Sequence, residues 1–265
     1  MSVKLLLPCL LALACAACAS SSDDPSGAAG PSLDGSASAG DLTAELRSDG
    51  PLTTGLATVR LALAAGGAPV TDATVTFMPW MTMSGGMKHS APVLGPATLG
   101  EDGAFAAEVV FQMPTSDMGS WSATSTVTRP GQAPVELAFA PFTVTDAGRA
   151  KVLSYDDAAS GTTRRFVVSL NLKGQPAVGL NPAVLTLHEM KEMGGFAEVA
   201  GATLSIDPQM PAMGHGSPGS VQPAATSLGR FDAQVSFSMP GAWDTTVTVR
   251  EASVTLGSVA FSTTF

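Results

Sequence analysis

Methionine and histidine crowd into two short stretches of this 265-residue chain. Met78, Met81, Met83, Met87 and His89 fall within twelve residues, with Met113 and Met118 following; Met210, Met213 and His215 fall within six, with Met239 following. Thioethers are soft, neutral donors, and together with imidazole they select Cu(I) over hard cations. They form no disulfides, so such a ligand set survives where thiolates would oxidise. In both stretches 24 residues separate the histidine from a later methionine, His89 from Met113 and His215 from Met239, which points to one geometry used twice. The second stretch, Met210-Pro-Ala-Met213-Gly-His215, reads as a Gly/Pro loop after a strand, and loops on rigid scaffolds are where binding groups sit. Met210, Met213, His215 and Met239 are its candidate ligands, expected to converge on one side of a sandwich with Trp243 as a wall. Met81, Met83, His89 and Met113 are the candidates of the first stretch, whose loop is longer and whose methionine spacing differs. The competing reading is packing: methionine fills irregular gaps in cores, and a histidine at a Gly-rich tip is often merely solvated.

The elements that must hold these residues read as strands. Thr58–Leu63, Ala73–Phe77, Phe105–Phe111, Arg165–Leu172, Phe231–Phe237 and Thr245–Val249 alternate with period two, are rich in Val, Thr and Ser, and are separated by Gly, Pro and Asp. No long segment has a helical period. Shifting the chain by 126 residues lays His89-Ser-Ala-Pro92 on His215-Gly-Ser-Pro218, Gly103-Ala-Phe105 on Gly229-Arg-Phe231, and Phe111-Gln-Met113-Pro114 on Phe237-Ser-Met239-Pro240. Gly119-Ser-Trp121 then matches Gly241-Ala-Trp243 once four extra residues, Thr115 to Met118, are allowed in the first copy. The expectation is an all-β protein of two tandem immunoglobulin-like β-sandwich domains, residues 41–147 and 148–265, preceded by a signal peptide and a flexible tether.

The order Ala202-Thr-Leu, Met210-Pro-Ala-Met213-Gly-His215, Gly229-Arg-Phe231 and Phe237-Ser-Met239-Pro-Gly-Ala-Trp243 resembles the YtkA-like (FixH-related) domain. The resemblance is good over about 165–250 and weaker over 55–128, where Met113-Pro114 is followed by Thr115 rather than Gly. It implies a small extracytoplasmic β-sandwich on a lipid or single-span anchor, associated with copper handling and cytochrome oxidase assembly.

The start of the chain has the form of a targeting segment. Lys4 supplies the positive charge and Leu5–Ala14 an apolar stretch too short to span a bilayer. Small residues before cysteine resemble a bacterial lipobox, so residues 1–17 read as a lipoprotein signal peptide and Cys18 as the lipidated residue, with Cys15 the alternative and an ordinary secretory signal the plainer one. Residues 18–40, built from Ser, Ala, Gly, Asp and Pro, read as a tether. All three cysteines lie within the first 18 residues, and processing at Cys18 would leave only that one in the mature chain, so no disulfide is expected in the domains.

Composition removes other classes. Thirteen Lys and Arg against 22 Asp and Glu give a net charge of −9, without the basic footprint that nucleic acids need. There is no Gly-x-Ser-x-Gly elbow or phosphate-cradling loop, and three histidines without an internal cysteine leave few candidates for a catalytic centre, so no enzyme is expected. His188-Glu-Met-Lys-Glu-Met193 superficially resembles a metalloprotease helix but lacks the second histidine four residues on; an extra soft metal patch is its other reading. Arg164-Arg165 reads as an edge charge. The function expected is a cell-envelope lipoprotein, anchored in a lipid bilayer on the periplasmic or extracellular side. It would hold Cu(I) or exchange it with an envelope protein that donates or accepts copper. The alternative is a pair of immunoglobulin-like domains with a structural or protein-partner role and no metal.

Overall fold

Alternation of buried and exposed side chains along each strand builds the whole molecule. On Leu42–Ser48, for instance, Leu42, Ala44 and Leu46 face a core while Thr43, Glu45 and Arg47 face water, the period-two pattern of a half-buried strand. A computed structural model describes residues 33–227 and 229–265. The expected leader, Cys15, Cys18 and the tether as far as residue 32 lie outside the described residues.

The first sandwich comprises β1 (Asp34–Ala39), β2 (Leu42–Ser48), β3 (Gly55–Ala65), β4 (Ala68–Pro69), β5 (Thr74–Met83), β6 (Lys88–Ser90), β7 (Thr98–Leu99), β8 (Phe105–Phe111), β9 (Gly119–Thr128) and β10 (Val135–Phe142). The second comprises β11 (Ala150–Asp157), β12 (Thr162–Leu172), β13 (Gly179–Met190), β14 (Phe196–Glu198), β15 (Ala202–Met210), β16 (His215–Gly216), β17 (Val221–Ser227), β18 (Arg230–Phe237), β19 (Ala242–Glu251) and β20 (Val254–Thr264), with a 3₁₀ turn at Glu192–Gly194 between β13 and β14. One sheet of the first domain runs β1-β2-β3-β8-β7 with β4 beside β3, and its partner runs β10-β9-β5-β6. In the second domain the orders are β11-β12-β13-β18-β17 with β14 beside β13, and β20-β19-β15-β16. Adding ten to each strand number converts one domain into the other. Each pair of sheets encloses its own core, around Leu46, Val59, Phe77, Phe111 and Trp121 in the first and Phe166, Leu185, Ile206, Phe237 and Trp243 in the second.

One boundary differs from the sequence reading. Asp34–Ala39 pairs antiparallel with β2, from Asp34↔Arg47 to Ala39↔Leu42, so the end of the expected tether is the edge strand of the first sandwich and the counterpart of β11. Its sequence, Asp-Gly-Ser-Ala-Ser-Ala, carries no large apolar residue; backbone hydrogen bonds to β2 define it as a strand, and hydrophobic periodicity cannot register them.

The two domains are docked rather than strung. On the outward face of β12 and β13, away from the second core, Val167, Ser169, Asn171, Val184, Thr186 and His188 are all buried. The first domain contributes Val110, fully buried outside its own core and paired across the sheet with Leu56, whose backbone N–H donates to Asn171 Oδ1 at 2.9 Å. Asn171 in turn donates to Ser169 Oγ at 2.9 Å, and Ser169 bonds Thr186 Oγ1 at 2.6 Å, so the polar groups of this seam satisfy one another. Gly55 (φ +110°) allows the approach: a Cβ there would lie 2.5 Å from Asn171 Oδ1 and 2.7 Å from Arg149 Cβ. Arg230 of β18 pairs with Glu108 of β8 across the seam. The junction is pinned as well. Asp146 Oδ1 accepts from Thr54 Oγ1 at 2.8 Å and from the Gly148 N–H at 2.9 Å, and these bonds, the Gly148 one first, hold its carboxyl below the usual range.

His188 is the exception in that seam. It is 3 % exposed and its Nδ1 has no hydrogen-bond partner. Burial pushes its pKa down to about 4, against a smaller opposing pull from Glu198 on the paired strand. The native state therefore binds fewer protons than the unfolded chain, and the stability linked to His188, complete above about pH 6.5, is lost as pH falls toward 4. By linkage the loss approaches 3 kcal/mol, at ~1.4 kcal/mol per pH unit. Chemical denaturation of the His188→Leu variant is expected to show a shallower fall in stability between pH 6.5 and 4 than the parent. At neutral pH its stability should be equal or higher, because an unpaired polar group has been replaced by an apolar one.

Candidate metal centre

The methionine–histidine corner is built twice, from the same three strands. β5 carries Met81 to its cross-strand partners, His89 on β6 and Trp121 on β9. β15 carries Met210 to its partner His215 on β16, and Trp243 lies on the neighbouring β19. Directly opposed side chains on paired strands stand about 5 Å apart at Cβ, so register alone sets thioether beside imidazole in both domains.

The tryptophans are the floor of each corner. Both are fully buried, and each meets its histidine edge-to-face: His89 and Trp121 at 6.0 Å and 89°, His215 and Trp243 at 5.8 Å and 73° between ring centroids and planes. The buried indole N–H needs an acceptor. Trp121 Nε1 donates to the Met113 carbonyl and Trp243 Nε1 to the Met239 carbonyl, each at 3.0 Å. That bond fixes the Met-Pro turn over the corner. Each histidine places Nδ1 at 3.1 Å from the carbonyl of the residue after it, Ser90 or Gly216. At His215 the tautomer that donates from Nδ1 leaves the Nε2 lone pair for a ligand, whereas His89 Nδ1 also faces the Gln112 Nε2 donor at 3.1 Å.

The methionines divide into two groups. Met81 and Met210 are 1 % and 4 % exposed and belong to the hydrophobic cores. Their thioethers lie at the margin of the core, against the glycine that precedes each tryptophan by two residues. A Cβ on Gly119 would lie 2.8 Å from Met81 Sδ and 3.2 Å from Met83 Sδ; one on Gly241 would lie 2.9 Å from Met210 Cε. Met113 is half-buried against the first core, Met83 is half-buried beside Gly119, and Met239 is exposed.

Of the four ligands expected to converge in the second domain, the structure places some side by side and one in solvent. Met210 and His215 are neighbours, and Trp243 ties the Met239 backbone to them, but Met213 projects into solvent, 63 % exposed, from the turn whose backbone it closes by donating to the Met210 carbonyl. In the first domain Met81, Met83 and His89 share one end of the sandwich, with Met113 anchored there by Trp121. Met87 and Met118 join that end and were absent from the expected set. The Met87 carbonyl accepts from Met83 N–H and the Met118 carbonyl from Ser84 N–H, both at 2.8 Å. The four-residue insertion Thr115–Met118 is the signal for Met118 in the sequence.

Among the described residues there is no group of three or more His, Cys, Asp or Glu placed to hold a metal ion, so a metal at these corners would be held by thioether and imidazole. His188 is on a strand rather than a helix and is buried in the domain seam, which removes the metalloprotease-like reading. Arg164 is likewise no free edge charge: it pairs with Glu189 at 2.9 Å and Glu251 at 2.7 Å and lies over the Phe166 ring.

A tandem β-sandwich with a Trp-floored Met/His corner at the same place in each copy is thus the class of protein that fold and site define. The YtkA-like family model matches residues 36–126 and 167–248, and the chain belongs to that family, carrying its domain twice. Comparison with curated proteins returns no match. Among solved structures, domains 5–6 of the S-layer protein SbsC align over 88 % of this chain and 98 % of that one, at 13 % identity and a TM-score of 0.27.

The division of the methionines is directly testable. Met210→Ala is expected to destabilise the protein by about 2–5 kcal/mol, the usual cost of truncating a buried methionine, and Met210→Leu by under about 1.5 kcal/mol. Met213→Ala should stay within about 0.5 kcal/mol of the parent. Urea denaturation of the three variants measures all of this.

Proposed function

We propose that this is a non-enzymatic cell-envelope protein that holds Cu(I) at one or both of its methionine–histidine corners and exchanges it with an envelope protein that donates or accepts copper. The observation that carries the reading is the duplication: thioether, imidazole, buried indole and a hydrogen-bonded Met-Pro turn recur in one register in both domains. Packing alone would require the tryptophan and a methionine, but not a half-exposed histidine held by the same backbone bond each time. A neutral thioether–imidazole set suits a soft monovalent ion and disfavours Mg²⁺, Ca²⁺ and Zn²⁺. Membership of the YtkA-like family supports the same reading. Cys18, following small residues, would supply a lipid anchor, and the acidic surface would keep the domains solvated at the envelope.

Anaerobic titration of the soluble fragment 33–265 with Cu(I), against a competing chromophoric chelator, tests this. Stoichiometric binding is expected. His89→Ala and His215→Ala should each lower affinity at their own corner by at least about ten-fold. Absence of Cu(I) binding competitive with the chelator would leave the protein-partner role in its place. For the anchor, Cys18→Ala is expected to abolish lipid labelling; labelling lost instead in Cys15→Ala would move the site there.

A further inference from the structure

The two corners are not held equally. β6 and β16 are both edge strands, of three and two residues, each paired only to its neighbour β5 or β15. Such a short edge strand has little to fix it except what abuts its free side. Among the described residues β16 meets no such neighbour beyond β15. For β6 there is one, and it comes from the other domain: Gly194, at the end of the 3₁₀ turn between β13 and β14, presses its backbone against His89. A Cβ at Gly194 would lie 3.0 Å from both Cα and Cβ of His89 and 3.4 Å from the Lys88 carbonyl. With φ +78°, Gly194 is suited to that approach in both conformation and size.

The seam around this point explains why the contact is local. Behind β5 and β6 the domains leave a cleft of about 340 Å³ lined by Met78, Trp80, Ser90 and Pro92 of the first domain and His188 and Phe196 of the second. Gly194 forms part of the wall of this cleft, and it is there that the second domain meets the His89 strand. Within the first domain His89 also has Gln112, whose Nε2 lies 3.1 Å from Nδ1 and 2.9 Å from the Ser90 carbonyl. His215 has no counterpart, because Ser238 stands at the matching position.

We propose that the second sandwich acts as a clamp on the first domain's methionine–histidine corner, with the Gly194 turn holding the His89 strand in its ligating position. The proposal rests on the soft-metal reading and adds to it a dependence of one corner on domain docking. Gly194 is a positioning residue: it acts on a ligand through His89 alone. Holding the imidazole before the ion arrives removes the ordering cost from binding, so the first corner is the better prepared of the two.

The test uses the two-domain chain in two backgrounds, His215→Ala to report the first corner and His89→Ala to report the second. Gly194→Val pushes directly on His89. Val110→Arg places a charge in the buried seam to part the domains, which small-angle X-ray scattering registers as a larger radius of gyration. Each variant is expected to weaken Cu(I) at the first corner by about ten-fold or more and to leave the second unchanged, a split that general destabilisation would not produce. Hydrogen exchange of the Lys88–Ser90 amides, measured without metal, should speed up in both. Unchanged affinity at the first corner together with unchanged exchange of β6 would overturn the clamp. If the parent binds no Cu(I), the functional reading fails by itself, and the exchange measurement still decides whether the second domain holds the His89 strand.

Discussion

Each domain is organised around one hydrogen bond, from a fully buried indole N–H to the carbonyl of the Met-Pro turn: Trp121 to Met113, Trp243 to Met239. An indole buried without an acceptor would cost about 1–3 kcal/mol, so the turn after β8 or β18 is drawn over the tryptophan. The same ring then presents its other surface to the histidine of the short edge strand, and its neighbour across the sheet is the buried methionine. Remove the indole and the turn, the imidazole and the thioether lose their common reference. Core packing and site geometry are in this protein the same set of contacts, which is why two of the soft donors are also core residues.

That sharing constrains what the corner can do. A thioether at the core margin is held in place and shielded, whereas Met213, Met87 and Met118 are exposed and free to move. A thioether–imidazole donor set is neutral, which suits a soft ion better than a hard one. The seam between the domains is a separate structure with its own logic: a small satisfied polar network, the close approach of Gly55 and one unsatisfied histidine, buried on sheet faces that an isolated sandwich would show to water.

Much of this was legible in the sequence, and the reasons differ by feature. The duplication could be read because the residues fixed in type by the corner, His, Met-Pro, Gly and Trp, recur at one spacing. The strands could be read because each sheet buries one face. β1 could not, since Asp34–Ala39 is held by backbone bonds at an edge and carries no apolar signal. Nor could the docking of the domains. Val167, Val184 and Val110 read as ordinary strand residues, and only their burial outside both cores exposes the seam. Met210 and Met213 have the same side chain three residues apart, yet one ends a strand facing inward and the other sits on the turn; composition and spacing cannot separate them, whereas strand register does. Arg164, read as an edge charge, is placed by its partners Glu189 and Glu251, 25 and 87 residues away.

X-ray absorption at the copper edge, on the protein loaded anaerobically with Cu(I), tests the central claim most directly, because it reports the donor atoms themselves. The expected result is a first shell of sulfur with about one nitrogen per copper, the sulfur lost progressively as Met81, Met83, Met210 and Met239 are changed to leucine and the nitrogen lost with His89→Ala and His215→Ala. A first shell of oxygen and nitrogen alone, or a spectrum indifferent to these substitutions, would contradict the account and leave the methionines as packing residues.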